Sequence, residues 1–364
     1  MSAVPGSTPG GRARARPAEQ PRGRAVPGAA HPVLIVNPRS GDGKAERVGL
    51  VHECRARGIE PAVLWPGDDV VALAEAAVAR GADVLGMAGG DGSMALVASV
   101  AARHGVPMVV VPAGTRNHLA MDLGLDRGNV VGALDAFGAA LEHPIDLGEV
   151  SGRPFVNNVS LGLYARIVRS PEYREARIET TLSMLPALLG PGSRPFDLRF
   201  TGPAGERHTR AHVVQVSNNA YGRTVRTLIS RPRLDAGRLG VIAVELPEGP
   251  PDRVFLSALA AGQPERYPGF LAWEPSTFEV DSGELVDAGI DGEALRLSPP
   301  LRFATRPGAL RIRVPQEATG RSPAARELPS RARPRGVPGP RVPGIRTDSA
   351  SLRRPGGGTE SLDG

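Results

Sequence analysis

What most restricts this chain is an alternation of short apolar runs and helical stretches between His31 and about Asp146. Residues 33–36, 62–65, 84–88 and 108–111 read as strands, and 45–57, 68–80 and 93–104 as helices. In the first of these helices Val48, Val51 and Cys54 are expected to share a face. Strands that alternate with helices of about ten residues or more predict a parallel sheet with helices on both faces. Such sheets bind their ligands at the carboxyl ends of the strands.

Three glycine-rich turns fall at three of those ends. They are Asn37-Pro38-Arg39-Ser40-Gly41-Asp42-Gly43-Lys44, Gly89-Gly90-Asp91-Gly92-Ser93 and Pro112-Ala113-Gly114-Thr115-Arg116-Asn117. Glycine after a strand lets backbone N–H groups approach phosphate oxygens, and the N-terminus of the next helix adds a partial positive charge. The first turn is not a P-loop, because the glycine spacing is wrong and Ala45 stands where a Ser or Thr would hold magnesium. The run Gly90 to Ala95 fits the loose dinucleotide pattern G-x-G-x-x-A, but no acid follows near position 111 to meet a ribose, which counts against a dehydrogenase. Asp91 is informative in another way. A carboxylate beside phosphates is repulsive unless a cation lies between them, so it points to magnesium and phosphoryl transfer.

Beyond Asp146 the texture changes to short β-branched runs, 155–159, 196–200, 212–216 and 239–244, separated by Gly, Pro and Asn. This predicts a mostly antiparallel β region, interrupted by a helical insert at 166–189 and a helical piece at 254–262, and ending near Val314. The fold class expected is thus α/β followed by β: a doubly wound nucleotide-binding domain at 32–146, a β-rich substrate domain at 147–315, and a cleft between them. A length of 364 residues suits two such domains.

The formal charge of +6 suggests nucleic acid until it is located. Residues 1–31 carry five arginines against Glu19, and residues 316–364 nine arginines against five acids, so each end contributes +4 and residues 32–315 are left with −2. Basic character therefore belongs to two Pro/Gly/Arg-rich tails expected to be disordered. Nucleic acid is not an expected partner of the acidic body. Cys54, the single cysteine, excludes an intrachain disulfide and a cysteine-built zinc cluster. No apolar run approaches the ~18 residues of a membrane span, and no apolar segment follows the first arginines as in a signal peptide. The expected location is the cytoplasm, with peripheral attachment to the inner face of the membrane through the arginine tails.

The motifs together resemble a known family. The run 33–37 with Pro38, Ser40, Gly41 and Lys44, then Gly89-Gly90-Asp91-Gly92-Ser93, then Gly114-Thr115-Arg116-Asn117-His118-Leu119-Ala120 look like the diacylglycerol kinase catalytic domain, bacterial lipid-kinase branch. The resemblance extends over 157–162, 231–239 and Asp291-Gly292-Glu293. It implies ATP along the three turns, contacted by Asn37, Ser40, Gly41, Lys44, Gly89, Gly90, Asp91, Gly92, Ser93, Gly114, Thr115 and Asn117, with a lipid hydroxyl approaching from the β region. It implies Asp291 as the general base and Mg2+ at Asp91 and Glu293; on an extended chain Glu293 points to the same side as Asp291. The family's further magnesium element has two acids before glycine, whereas this chain reads Leu234-Asp235-Ala236-Gly237, so only Asp235 is left to serve there. His118 replaces a common Asp, Leu64 replaces a nucleotide-contacting Thr, and Ser93 keeps the hydroxyl of a Thr.

Three functions compete on this reading: an ATP-dependent lipid kinase, an NAD kinase, which shares Gly-Gly-Asp-Gly, and a noncatalytic nucleotide-binding regulator at the membrane. The turn Gly114 to Asn117 and the late Asp291-Gly292-Glu293 favour the first. The Arg-rich start and Leu/Met-rich end of the 166–189 insert suit either an interfacial helix or an ordinary amphipathic helix packed on the β region.

Overall fold

The computed structural model describes residues 23–163, 165, 194–222, 230–246, 253–261, 263–318 and 322–327. The expected insert at 166–189 and the outer parts of both basic tails lie outside the described residues. Chain order begins with strands Arg24–Val26 (β1), Pro32–Val36 (β2), Glu60–Val63 (β3), Val84–Ala88 (β4) and Met108–Val111 (β5). Between and after them come helices Lys44–Arg47 (α1), Leu50–Ala56 (α2), Val70–Ala79 (α3), Asp91–His104 (α4) and His118–Asp122 (α5). β5, β4, β2 and β3 are neighbours in that order and all parallel. Alternate residues of one strand enter opposite cores. Val33 and Ile35 pack with α3 and α4, while Leu34 and Val36 pack with α1, α2 and a 3-10 turn at Gly132–Phe137. Both faces of the parallel layer are covered, as its continuous apolar strands require.

Local signals set the helix ends. Asp69 caps α3, its side chain accepting from Val71 N at 2.7 Å, and Gly105 with φ 61 ends α4. The single helix expected at 45–57 is two helices, because Gly49 adopts a left-handed φ of 60 between them. That break resets the buried face. Ala45, Leu50 and Cys54 are inside, whereas Val48 is 37% exposed.

The chain continues through Ala140–Val150 (β6), Arg153–Phe155 (β7), Asn158–Gly162 (β8), Phe200–Thr201 (β9), Arg207–His208 (β10), Val213–Asn218 (β11) and Leu239–Val244 (β12). It then forms helix Arg253–Ala260 (α6), strands Phe270–Trp273 (β13), Thr277–Val280 (β14), Val286–Ile290 (β15), Glu293–Leu297 (β16) and Leu301–Pro315 (β17), and helix Pro323–Glu327 (α7). A separate antiparallel sheet runs β13-β12-β11-β8-β15-β16, which is the expected β layer. The strand expected at 155–159 is split between β7 and β8, because the chain crosses there from the sheet containing β6 to the antiparallel sheet. Of the strand expected at 196–200, residues 196–199 make only isolated bridges and Phe200 opens β9.

Two long strands connect the layers. β17 pairs antiparallel with β6 and, through Ile312 opposite Met108, parallel with β5. Its first part puts Leu301 and Phe303 into the core of the antiparallel layer; its last part puts Leu310, Ile312 and Val314 into the core of the parallel layer. The change occurs at a register shift between Arg306 and Leu310, around Pro307 and Gly308. The tails are shorter than expected from composition. Arg24–Val26 is an edge strand on β6, with Arg24 Nη2 on Glu142 Oε1 at 3.1 Å, and Ala324 in α7 is buried. These segments order because a partner surface receives them, which composition does not report. Among the described residues no helix is long and apolar enough to cross a membrane.

Candidate active site

The parallel layer places its three glycine turns on one edge, and the glycines bring them into contact. Gly41 has φ 56, and a Cβ there would lie 2.5 Å from Ala113 O; a Cβ on Gly114 would lie 2.5 Å from Gly90 Cα. Side chains at these positions would force the first turn from the third and the third from the second. Gly89 brings Ser40 and Ser93 together, with Ser40 Oγ 3.6 Å from where its Cβ would stand. At the middle turn α4 begins with no side-chain cap, so its first N–H groups are left for an anion.

Side chains brace this edge. Lys44 Nζ donates to Pro112 O at 3.0 Å and to Arg127 O, tying the first turn to the third. Burial, with Arg127 and Arg47 nearby, lowers its pKa. Asn117, at φ 51, closes the third turn on itself: Oδ1 accepts from Gly114 N at 3.0 Å and Nδ2 donates to Gly114 O at 2.6 Å. The Asp91 carboxylate accepts from His118 N at 3.1 Å and Leu119 N at 3.3 Å, capping α5. The His118 ring lies against Asp91, Nδ1 to Oδ2 4.0 Å, and burial holds its pKa below the ordinary histidine value. Thr115 is exposed at the tip of the third turn.

Asp291 reaches this edge from the antiparallel layer. It lies between β15 and β16 at φ 47, and its carboxylate is held by three consecutive backbone donors: Val156 N to Oδ2 at 2.8 Å, Asn157 N to Oδ1 at 2.8 Å and Asn158 N to Oδ1 at 3.0 Å. These donors lie where the chain passes from β7, paired with β6, to β8 in the antiparallel sheet. Loss of solvent around the group raises its pKa to about 7, with Asp91 adding to the rise and the three N–H groups opposing it. Two residues on, the Glu293 carboxylate covers Gly92 so closely that any side chain there would collide with it. Gly292 faces Arg116 of the third turn, whose Nη1 would be 3.6 Å from a Cβ. Asp291, Glu293, Asp91 and the three turns therefore form one site.

Asp235 is placed elsewhere. Its Oδ1 accepts from Arg233 Nε at 2.9 Å, and the N–H groups of its turn are taken by Asn219 Oδ1 (from Ala236, 2.7 Å) and Asp146 Oδ2 (from Gly237, 2.6 Å). Among the described residues no three Asp, Glu, His or Cys side chains gather in a way that holds a metal ion. A cage built by the protein alone does not fit. A magnesium ion carried by a nucleotide needs only one or two carboxylates besides phosphate oxygens, and Glu293, whose carboxylate makes no hydrogen bond among the described residues, meets that need.

Sequence reasoning did not find the backbone donors at 156–158 or the buried pair of Asp122 with Arg231, Oδ2 to Nε 2.7 Å. Backbone donors leave no side-chain signature, and nothing in the pattern separates Arg231 from the chain's many other arginines. It also did not find a cavity of about 280 Å³ in the antiparallel layer, lined by Tyr221, Ile242, Phe270, Leu271 and Trp273 among others. Tyr221 Oη accepts from Asn158 Nδ2 at 2.9 Å, so the cavity wall adjoins the Asp291 donors.

An α/β layer with glycine turns on its carboxyl edge, joined to an antiparallel layer by shared strands, is the diacylglycerol kinase-like fold. A Bacillus anthracis strain Sterne protein provisionally named a diacylglycerol kinase superimposes with a TM-score of 0.60 at 18% identity, covering 79% of this chain and 97% of that one. The family model "Diacylglycerol kinase catalytic domain" matches residues 31–150. A Pseudomonas aeruginosa protein named "Probable lipid kinase YegS-like" is 29% identical over 309 residues, 82% of this chain and 97% of its own length. A Mycobacterium tuberculosis diacylglycerol kinase is 34% identical over 120 residues, 32% of this chain and 39% of its own.

Proposed function

We propose that the chain is an ATP-dependent lipid kinase transferring the γ-phosphoryl group to a hydroxyl of diacylglycerol or a related lipid. The observation that carries this reading is Asp291: a carboxyl with a pKa near 7, held by three N–H groups and facing the glycine turns of a family-matched domain. Residues 32–146 bind the nucleotide and residues 147–315 the acceptor. Phosphate oxygens meet the free N–H groups at the start of α4, while Lys44 and Asn117 keep the turns in register. Charged Asp291 accepts the proton of the acceptor hydroxyl as its oxygen bonds to the γ-phosphorus. The bond from phosphorus to the bridging oxygen then breaks and ADP leaves with that electron pair. Mg2+, when bound at Glu293, neutralises phosphate charge.

The cavity beside Tyr221 favours a lipid over NAD, because its wall is mostly apolar, with Ile242, Phe270, Leu271 and Trp273, and Asn158, which bonds Tyr221, also holds Asp291. The acceptor's apolar part occupies it. Arginine-rich residues 316–364 supply the membrane attraction, each arginine near an anionic surface contributing about 1 kcal/mol. The site of action on this reading is the cytoplasmic face of the membrane.

The test is transfer from γ-labelled ATP to a panel of diacylglycerol, monoacylglycerol, sphingoid base and NAD, with an acceptor-free control. Label on a lipid is the expected result. Label only on NAD overturns the lipid reading, and label on nothing leaves the noncatalytic regulator.

A further inference from the structure

Arg231 is wholly buried and donates five hydrogen bonds that join three parts of the site. Its backbone N–H reaches Asp122 Oδ1 at 3.0 Å and its Nε reaches Asp122 Oδ2 at 2.7 Å. Nη1 donates to Val156 O at 2.6 Å and Asn218 O at 2.8 Å, and Nη2 to Asn157 Oδ1 at 2.8 Å. Asp122 ends α5, whose first residues are capped by Asp91 and which follows the third glycine turn. Val156 and Asn157 are the residues whose N–H groups hold Asp291. From behind, Ser322 Oγ donates to Arg231 O and Ala324 N to Ser230 Oγ, so α7 clamps the segment that carries the arginine.

We propose that Arg231 is a positioning residue that fixes the distance between the nucleotide edge and the Asp291 carboxylate. The role rests on the phosphotransfer reading above. Stability alone does not account for the arrangement, since a buried ion pair is often no more stable than apolar residues of the same volume. Geometry does account for it. One planar group takes the carbonyl of Val156, the side chain of Asn157 and the last side chain of α5, so neither side of the site shifts without the other. A displacement of about 1 Å between reacting groups costs on the order of a hundredfold in rate.

The experiment compares Arg231→Lys, Arg231→Gln and Asn157→Ala with Arg313→Met. The last removes another buried arginine, bound to Pro27 O and Gly138 O and outside the site. The quantities measured are kcat per folded molecule, KM for ATP, nucleotide Kd by calorimetry and Tm. The expected result is a loss of about tenfold to a hundredfold in kcat for Arg231→Gln and Asn157→Ala, with nucleotide Kd within about threefold of wild type. Arg231→Lys should recover part of the loss, and Arg313→Met should lower Tm at unchanged kcat. Should the Arg231 variants fail to fold, Asn157→Ala decides, because it removes one contact and keeps the backbone donor. Wild-type kcat in folded Asn157→Ala and Arg231 variants, or a kcat loss matched by an equal loss of nucleotide affinity, overturns the positioning role alone. A wild-type chain that transfers phosphate to no acceptor overturns the kinase reading and this role with it.

Discussion

Asp291 illustrates how one residue is set by opposing effects. Three N–H groups favour its charged form, yet loss of solvent and the neighbouring Asp91 prevail and hold the carboxyl near 7 instead of its ordinary 3.8. A base works only when charged, so log kcat/KM should climb with pH up to about 7 and level off above it. A profile already flat from pH 5 would remove Asp291 from this role. The folded state also binds this proton more tightly than the unfolded chain, so the group's contribution to stability falls as pH rises from about 4 to 7. Asp291→Asn should lower transfer by about 10²- to 10⁴-fold with nucleotide binding retained, as measured by calorimetry beside the labelled assay. Cys54 gives a contrasting test. Burial pushes its thiol up to about 11, so alkylation at pH 8 should be slow in the native protein and fast in urea, at no cost to native activity.

At the scale of elements, what was legible in the sequence is what glycine and apolar period encode. The strands 33–36, 84–88 and 108–111, the three turns and the end of α4 at Gly105 fall where the sequence predicts, while β3 at Glu60–Val63 begins two residues before the expected 62–65. The crossing that holds Asp291 was not legible, because residues 155–159 read as one apolar run although the chain changes sheets within them. The α1–α2 break was missed for a related reason: Gly49 sits inside an otherwise helical pattern, and its φ of 60 decides the boundary. Gly49→Ala should therefore destabilise the fold by about 1 kcal/mol in urea titration and leave nucleotide affinity unchanged. Gly114→Ala should do the opposite. Its Cβ would press on Gly90 Cα, so nucleotide affinity is expected to fall at least about tenfold while the circular dichroism spectrum is preserved.

For the whole molecule, composition and texture separated an α/β part from a β part but did not reveal that β6 and β17 belong to both. The segment 301–315 carries four arginines, Pro307 and Gly308, which interrupt its apolar pattern, and its partner β5 is remote in sequence. Deletion of residues 301–315 should prevent folding altogether, seen as loss of cooperative thermal unfolding. Met108 and Ile312 are neighbours in the sheet although about 200 residues apart in the chain. On the ribosome β17 emerges after every other described strand, so a product cut before residue 301 lacks the strand that lies between β5 and β6. The six strands of the antiparallel layer are all made before β17, whereas the other sheet is closed between β5 and β6 only when β17 arrives.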